Sequence, residues 1–314
     1  MARPFGDPTY APPVVAILGP TASGKSALAL DLAQQLGGEI LCCDSMQVYR
    51  GMDIGTAKPT PEERAAIPHH LLDLVTPAEQ FHAAAWAEAA RTIIQDAEKR
   101  ERLPIIVGGT GLYFRALVRG LFEAPRPDPT IRARHQAEAA QLGVPALHKR
   151  LSEIDQEAAS KILPGDLVRI SRALEVFEQT GTTISELRRQ QPVVPPPLRI
   201  FSVLLDFDLD YLRTRIAARV DHMIAAGFVD EVRSLRAAGF ASARSMQALG
   251  YKQLGQHLDG TLTLDAAIAD IKSATSAYAR RQRTWFRREE INLRSYQPLV
   301  SSALARLLRG WLLT

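Results

Sequence analysis

GPTASGKS, residues 19–26, fits the pattern G-x-x-x-x-G-K-[ST] and lies where that pattern has a physical meaning. The apolar run 14–18 before it is typical of a buried strand, and residues 27–33 after it are typical of a helix. A glycine-rich turn between such elements directs successive backbone N–H groups at one point, at the positive end of the helix dipole. Lys25 adds a mobile cation and Ser26 a hydroxyl suited to Mg²⁺. The stretch therefore predicts a site for a di- or triphosphate, without indicating whether that phosphate is transferred or leaves.

The first third of the chain alternates strand and helix patterns. Strands are expected at 39–44, 70–75 and 105–107, and a long alanine-rich helix at about 81–101. This alternation predicts an α/β fold, a P-loop NTPase-like parallel sheet flanked by helices. Because ligands bind at the carboxyl ends of such strands, Thr21, Asp44 and Thr110 are expected around one crevice.

The middle of the chain has no β pattern. Residues 130–190 are typical of helices and lie between proline-rich breaks at 125–129 and 192–197, after which 200–206 is expected to rejoin the sheet as a strand. The prediction is an inserted all-helical domain. Its parts are a first core segment 1–122, the insertion 123–195, and a second core segment 196–314. In the last segment helices are expected at 209–226 with a continuation to 238, and at 245–258, 264–288 and 299–312.

Composition excludes several classes of protein. The 314 residues are 46% hydrophobic with a net charge of +4, and no apolar run approaches the ~20 residues that cross a bilayer. No secretion signal precedes the first strand, and the only cysteines, Cys42 and Cys43, are adjacent, which suits neither a zinc site nor a structural disulfide. We expect a cytoplasmic monomer with no membrane association.

Asp44, at the end of the second strand, is the most informative residue after the phosphate loop. A carboxylate there suits a Mg²⁺ ligand or a general base, although an Asx turn or a helix cap would use it equally well. Glycines follow the strand at 105–107, which leaves Asp44 and Asp206 as candidates for the carboxylate that P-loop enzymes use to hold Mg²⁺ and water. ATP binding fits the loop, but ATP hydrolysis is neither supported nor excluded.

Basic residues gather in three places. Arg215, Arg219 and His222 share one helix face and are candidates to neutralise a leaving diphosphate, or simply to face solvent. Five arginines lie within 280–288 close to aromatic residues, and further basic residues are distributed along the helical middle of the chain. Such a pattern fits a polyanion such as RNA, and it equally fits solvated helix faces.

Several segments together resemble the tRNA dimethylallyltransferases, or tRNA isopentenyltransferases. They run in family order across nearly the whole chain, and the second and third are far more specific than the phosphate loop. They are GPTASGKS (19–26), DSMQVYR (44–50), GMDIGTAKP (51–59), GGTGLY (108–113), RALEV (172–176), GF (227–228), GYKQ (250–253) and RQRTW (281–285).

The resemblance implies transfer of a dimethylallyl group from dimethylallyl diphosphate to N6 of adenosine 37, in the anticodon stem-loop of tRNAs that read codons beginning with U. It implies that Asp44, Thr21 and Arg219 are catalytic, with Asp44 as the base, Thr21 positioning the diphosphate and Arg219 stabilising leaving charge. Mg²⁺ would be the cofactor, with Ser26 as its ligand. The residues that would hold the leaving diphosphate are Gly19, Pro20, Thr21, Ala22, Ser23, Gly24, Lys25 and Ser26. Those that would contact tRNA are Asp44, Ser45, Met46, Gln47, Thr110, Arg132, Arg169 and Arg172.

The chain departs from the family pattern at one tRNA contact. Val168 stands where the family usually has glutamine, so a contact from Val168 is not expected, whereas Arg169 and Arg172 match. The zinc finger of eukaryotic relatives is absent, which favours the bacterial form. The alternatives are an adenylate isopentenyltransferase, a small-molecule P-loop kinase with Asp44 as base, and a non-catalytic RNA-binding NTPase switch.

Overall fold

The computed structural model describes residues 11–122, 124–191, 195 and 197–314. The chain forms two compact units, one of Met1–Val118 with Pro195–Thr314 and the other of Arg119–Val194. The insertion predicted at 123–195 corresponds to the second unit, and part of the proline-rich break at 192–197 lies outside the described residues. No helix among the described residues has the length and apolarity that a bilayer crossing demands.

The first unit is built on one parallel sheet of six strands. They are β1 (Pro13–Leu18), β2 (Gly38–Cys43), β3 (His69–His70), β4 (Leu103–Gly108), β5 (Arg199–Leu205) and β6 (Leu293–Ser295), in the spatial order β3-β2-β4-β1-β5-β6. Strands β2 and β4 are buried throughout and β1 is buried from Val14 onward, as expected of parallel strands covered on both faces. The α/β class predicted from the alternation is confirmed.

The register brings the strand ends together. Leu18 pairs with both Gly108 and Leu204, and Cys43 also pairs with Gly108. The turns that follow β1, β2 and β4 therefore meet at one edge of the sheet.

Helices cover the sheet of the first unit. They are α1 (Lys25–Leu36), α2 (Pro61–Ala66), α3 (Ala83–Lys99), α4 (Gly111–Arg119), α10 (Leu209–Ala225), α11 (Phe228–Leu235), α12 (Tyr251–Leu258), α13 (Leu264–Phe286) and α14 (Ser301–Leu313). The second unit consists of α5 (Pro129–Leu142), α6 (Val144–Ile154), α7 (Gln156–Lys161), α8 (Leu167–Thr180) and α9 (Ile184–Gln190). These five helices pack on a core that includes Leu147, Leu151, Ile170 and Leu174, so the helical character predicted for 130–190 is confirmed.

Several predicted boundaries were wrong. The strand predicted at 70–75 is limited to His69–His70, because Leu71 and Asp73 adopt positive φ and cannot continue a ladder. The helix predicted at 209–226 is present as α10, but its continuation to 238 is interrupted at Gly227, whose φ of +96° separates α10 from α11. Neither the helix α4 nor the short strand β6 was predicted, since both begin within segments dominated by turn residues or charges.

Candidate active site

The loop of residues 19–24 connects β1 to α1 and depends on its two glycines. A Cβ on Gly19 would lie 2.7 Å from the Leu205 carbonyl oxygen, so only glycine lets β1 end beside β5. Gly24 has a φ of +88° and caps α1, and Ala22 also has a positive φ. The loop therefore leads directly into the positive N-terminus of a twelve-residue helix, which is the geometry that binds phosphate.

Lys25 opens that helix and folds back over the loop. Its Nζ donates to the Pro20 carbonyl oxygen at 2.7 Å. Burial, with a contribution from Arg219, lowers the pKa of the Lys25 ammonium to about 7, and Asp44 opposes the shift. The ammonium thus lacks a full counter-charge, which an anionic ligand in the loop would supply.

A cavity of about 680 Å³ opens in front of the loop. Eight of the predicted site residues line it, namely Thr21, Ala22, Gly24, Lys25, Ser26, Asp44, Gln47 and Arg219. The other loop residues, Gly19, Pro20 and Ser23, are buried and do not line the cavity. The structure therefore brings the loop, the proposed base and the proposed arginine to one space.

Helix α10 supplies the cationic wall of this cavity. Arg215, Arg219 and His222 all line it, while Ile216, Val220 and Met223 are buried on the opposite face, as the spacing predicted. The Arg215 Nε donates to the Ala22 carbonyl oxygen at 2.7 Å, which holds its guanidinium against the loop. Burial lowers the pKa of Arg219 from its ordinary value and Asp44 opposes the shift, but an arginine remains charged at any physiological pH.

Asp44 forms the expected Asx turn and also lies on the cavity wall. Its Oδ1 accepts the Met46 N–H at 2.8 Å in an Asx turn, and the residue lines the wall of the cavity. Asp206, the other candidate, accepts from Arg283 at 2.7 Å and Arg294 at 3.0 Å and lines neither described cavity. Of the two predicted carboxylates, only Asp44 is available to a ligand.

A second cavity of about 330 Å³ meets the first at Thr21, Asp44, Thr56, Arg219 and Tyr278. Its wall is mainly apolar and includes Met46, Ile216, Val220, Met223, Phe228 and Ile271. The site therefore places a polar, cationic space and an apolar space on either side of the same few residues.

The GMDIGTAKP segment frames the site by contacts within the protein. The Glu231 carboxylate accepts the N–H groups of Asp53, Ile54 and Gly55 at 2.6–3.1 Å, and the Tyr251 hydroxyl at 2.6 Å. A Cβ on Gly55 would lie 2.2 Å from the Phe228 ring, so no side chain fits there. This locked segment presents Thr56 to both cavities.

Lys58 of the same segment is a structural cation. Its Nζ donates to the Tyr49 carbonyl oxygen, Asp53 and Asp73, at 2.5–2.6 Å in each case. Three acceptors satisfy the three ammonium donors, so Lys58 is fully used in holding the segment closed.

Two site residues on α13 were not identified from the sequence. Tyr278 lines both cavities, and Gln282 lines the larger one. The sequence signal for Gln282 was its place in the RQRTW segment, whose arginines and tryptophan indicated RNA binding. In the structure Arg283 is paired with Asp206 and Phe286 is fully buried, whereas Arg280, Arg281, Arg287 and Arg288 are exposed.

The remaining predicted tRNA residues divide between the two units. Thr110 lines neither described cavity, and its Oγ1 accepts the Ser45 N–H at 3.1 Å. In the helical unit, Arg132 and Arg172 both donate to the fully buried Glu175 carboxylate, and Arg169 is largely exposed. Val168 is 79% exposed, so this departure from the family pattern lies on the surface.

Neither cysteine is a nucleophile. Both are buried, and burial raises the pKa of the Cys42 thiol to about 12 and the pKa of Cys43 well above its ordinary value. Among the described residues no three His, Cys, Asp or Glu side chains are grouped to hold a metal. The Ser26 hydroxyl and the Asp44 carboxylate are nevertheless hard oxygen donors on one cavity wall, and Mg²⁺ is commonly held by one or two such groups together with substrate phosphates.

Known proteins are similar to this chain over most of its length. A family model described as IPP transferase matches residues 47–289. The chain is 48% identical over 305 residues to a tRNA dimethylallyltransferase of Roseiflexus sp. (strain RS-1), covering 96% of this chain and 99% of the relative.

Solved structures are also similar. The full-length tRNA isopentenylpyrophosphate transferase of Bacillus halodurans matches with a TM-score of 0.68 and 38% identity over 96% of this chain and 95% of that one. A eukaryotic dimethylallyltransferase acting on tRNA matches with a TM-score of 0.69 and 28% identity, covering 88% of this chain and 70% of that one.

Proposed function

Because the chain belongs to the IPP transferase family, we propose that it transfers a dimethylallyl group from dimethylallyl diphosphate to N6 of adenosine 37 in tRNAs that read codons beginning with U. The products are N6-isopentenyladenosine and diphosphate. One observation carries the proposal: a phosphate loop, an arginine and a carboxylate line a polar cavity that continues into an apolar one.

The phosphate loop and its cations receive the leaving group. As the bond between C1 of the prenyl group and the diphosphate oxygen breaks, the electron pair and the negative charge move onto the diphosphate. Backbone N–H groups of the loop, the Lys25 ammonium and the Arg219 guanidinium stabilise that charge. Because the charge is larger in the transition state than in the bound substrate, these interactions lower the activation barrier. Arg215, fixed against the loop by Ala22, adds positive charge to the same wall.

Asp44 receives the proton. The adenine N6 attacks C1, the new N–C bond forms, and a proton passes from N6 to the Asp44 carboxylate. An aromatic amine is a weak nucleophile, so the order of events favours early loss of diphosphate with the proton taken up as the N–C bond forms. Asp44 lines both cavities, so it lies where the adenine would meet the prenyl group of dimethylallyl diphosphate.

The apolar cavity accommodates the prenyl group. Met46, Val220, Met223 and Phe228 offer a hydrocarbon wall next to Thr21 and Arg219. A dry wall of this kind also limits the access of water to the allylic carbon, which would otherwise be hydrolysed.

The residues present fit a Mg²⁺ ion bound with the diphosphate. Ser26 would hold it, on the basis of the hydroxyl at the cavity wall. When bound, Mg²⁺ neutralises charge on the phosphate oxygens.

The acceptor is proposed to be the anticodon stem-loop of tRNA, bound by a cytoplasmic monomer. Adenosine 37 has to leave the loop stack to reach Asp44, at a cost of a few kcal/mol that basic and stacking contacts must offset. Ser45, Met46 and Gln47, which follow Asp44, are proposed to contact the extruded nucleotide. Thr110, Arg132, Arg169 and Arg172 are proposed to contact the rest of the RNA.

A labelling assay tests the proposal. The protein is incubated with Mg²⁺ and labelled dimethylallyl diphosphate in the presence of either tRNA or AMP, and separately with ATP. Label in tRNA and none in AMP is expected. Label in AMP alone would indicate an adenylate isopentenyltransferase, and stoichiometric ADP release would indicate a kinase.

A further inference from the structure

Helix α13 contacts the turns that follow two of the central strands through a single side chain. The Oε1 of Gln282 accepts the Thr21 N–H at 2.8 Å, and its Nε2 donates to the Gly109 carbonyl oxygen at 3.0 Å. Gln282 is only 6% exposed. Both ends of its amide are thus fixed by backbone groups of different turns, so the side chain holds the turn after β1 and the turn after β4 at a set distance.

One helical turn earlier, Tyr278 lies beside Thr110, which belongs to the same turn after β4 as Gly109. The Thr110 Oγ1 accepts the Ser45 N–H, in the turn after β2, at 3.1 Å. The Thr110 N–H in turn donates to the Cys43 carbonyl oxygen at 3.2 Å. Cys43 and Ser45 flank Asp44, so α13 is connected to the backbone on both sides of that carboxylate.

The register of α13 is itself fixed. The Arg283 side chain donates to the buried Asp206 carboxylate at 2.7 Å, directly after Gln282 in the helix. A Cβ on Gly109 would lie 2.1 Å from the Gln282 Nε2, so the turn and the amide are already in close contact. Gln282 cannot move toward Gly109 without displacing that turn.

We propose that Gln282 is a positioning residue for the transfer reaction: together with Tyr278 it sets the distance between Thr21, at the leaving diphosphate, and Asp44, at the attacking amine. The proposal rests on the function proposed above. The Thr21 N–H donates to Gln282 and is not available to a ligand, so Thr21 presents its side chain to the two cavities. Gln282 therefore acts through the orientation of Thr21 and not by contact with the reacting atoms.

The first test is the variant Gln282→Met, which keeps the length of the side chain and removes both hydrogen bonds. A misplacement of about 1 Å in a reacting group costs about 10²-fold in rate. We expect kcat to fall by about that factor, while the KM values for tRNA and dimethylallyl diphosphate stay within about twofold. A rise in KM with unchanged kcat would show that Gln282 serves binding alone and would overturn the proposal.

A double-mutant cycle with Thr21→Val separates positioning from a structural role. The valine variant keeps the Thr21 N–H and removes its hydroxyl. If Gln282 acts through Thr21, Q282M lowers kcat much less in the T21V background than in the wild type. If the fold-decrease in kcat of the double variant equals the product of the two single-variant decreases, Gln282 and Thr21 act independently and the proposal fails.

Two further variants guard against misfolding. Leu308→Ala removes a fully buried side chain on α14 and is expected to lower the melting temperature without changing kcat at 25 °C. A Cβ on Gly109 would lie 2.1 Å from the Gln282 Nε2 and 2.9 Å from the Gly19 carbonyl oxygen. Gly109→Ala therefore displaces the Gln282 amide together with the phosphate loop and is expected to lower kcat, so it replaces Q282M if that variant does not fold. Normal kcat in G109A would overturn the proposal. Failure of the wild-type protein to transfer label would instead refute the proposed function.

Discussion

Binding of dimethylallyl diphosphate at pH 8 is expected to remove nearly one proton from solution, and Lys25 is the group that accepts it. Burial lowers the pKa of the Lys25 ammonium to about 7 in the free protein, with Arg219 adding to the shift. At pH 8 such a group is protonated in about one molecule in ten. A diphosphate against the loop brings opposite charge next to the ammonium and raises its pKa. A rise of about two pKa units corresponds to an uptake of about 0.8 proton at pH 8.

The sign of the pH dependence follows from this shift. Because the pKa rises on binding, the protonated protein binds the diphosphate more tightly than the neutral one. Affinity is therefore expected to be highest below about pH 7, and to fall by up to about tenfold per pH unit as the pH rises from 7 toward the pKa of the complex.

Isothermal titration calorimetry without tRNA measures the uptake directly. The binding enthalpy is recorded at pH 8 in buffers of different ionisation enthalpy, and its slope against that enthalpy gives the number of protons bound. The matched control is Lys25→Arg, which keeps a cation that does not titrate in this range. An equal slope for the wild type and K25R would refute the reasoning, since the proton would then come from another group.

Three further predictions concern the frame and the chemistry of the site. Asp44→Ala is expected to lower turnover by about 10²–10⁴-fold while the dissociation constant for tRNA stays unchanged; equal loss of both would show that Asp44 is structural. Glu231→Gln replaces a carboxylate that accepts three backbone N–H groups and a phenol, so it is expected to lower the free energy of unfolding by about 2–4 kcal/mol in urea denaturation. An unchanged midpoint would contradict that account. Glu175→Gln removes the carboxylate that pairs with the partly exposed Arg132 and Arg172, and it is expected to cost about 1–3 kcal/mol, seen as earlier loss of helical circular dichroism with urea, with E186Q on the surface as control.

Features that arise from local patterns could be predicted before the structure was known. The glycines and the lysine of residues 19–26, the apolar strands and the two-faced helix α10 were all predicted, because each depends on neighbours within a few residues along the chain. The position of Asp44 after a strand then placed it at the carboxyl edge of the sheet by the rule for parallel sheets. Matching motifs added the family, and the comparisons confirmed it.

Which of several equivalent polar side chains line the site depends on how the chain packs. Asp44 and Asp206 both follow strands, yet two arginines neutralise Asp206 and none of the described hydrogen bonds does so for Asp44. Gln282 lies 261 residues from Thr21, and Glu231 lies 177 residues from Ile54. Each of these contacts joins a side chain to a backbone group that is distant along the chain. Because every residue type has such backbone groups, the contacts leave no pattern in the sequence. They form only when the chain packs.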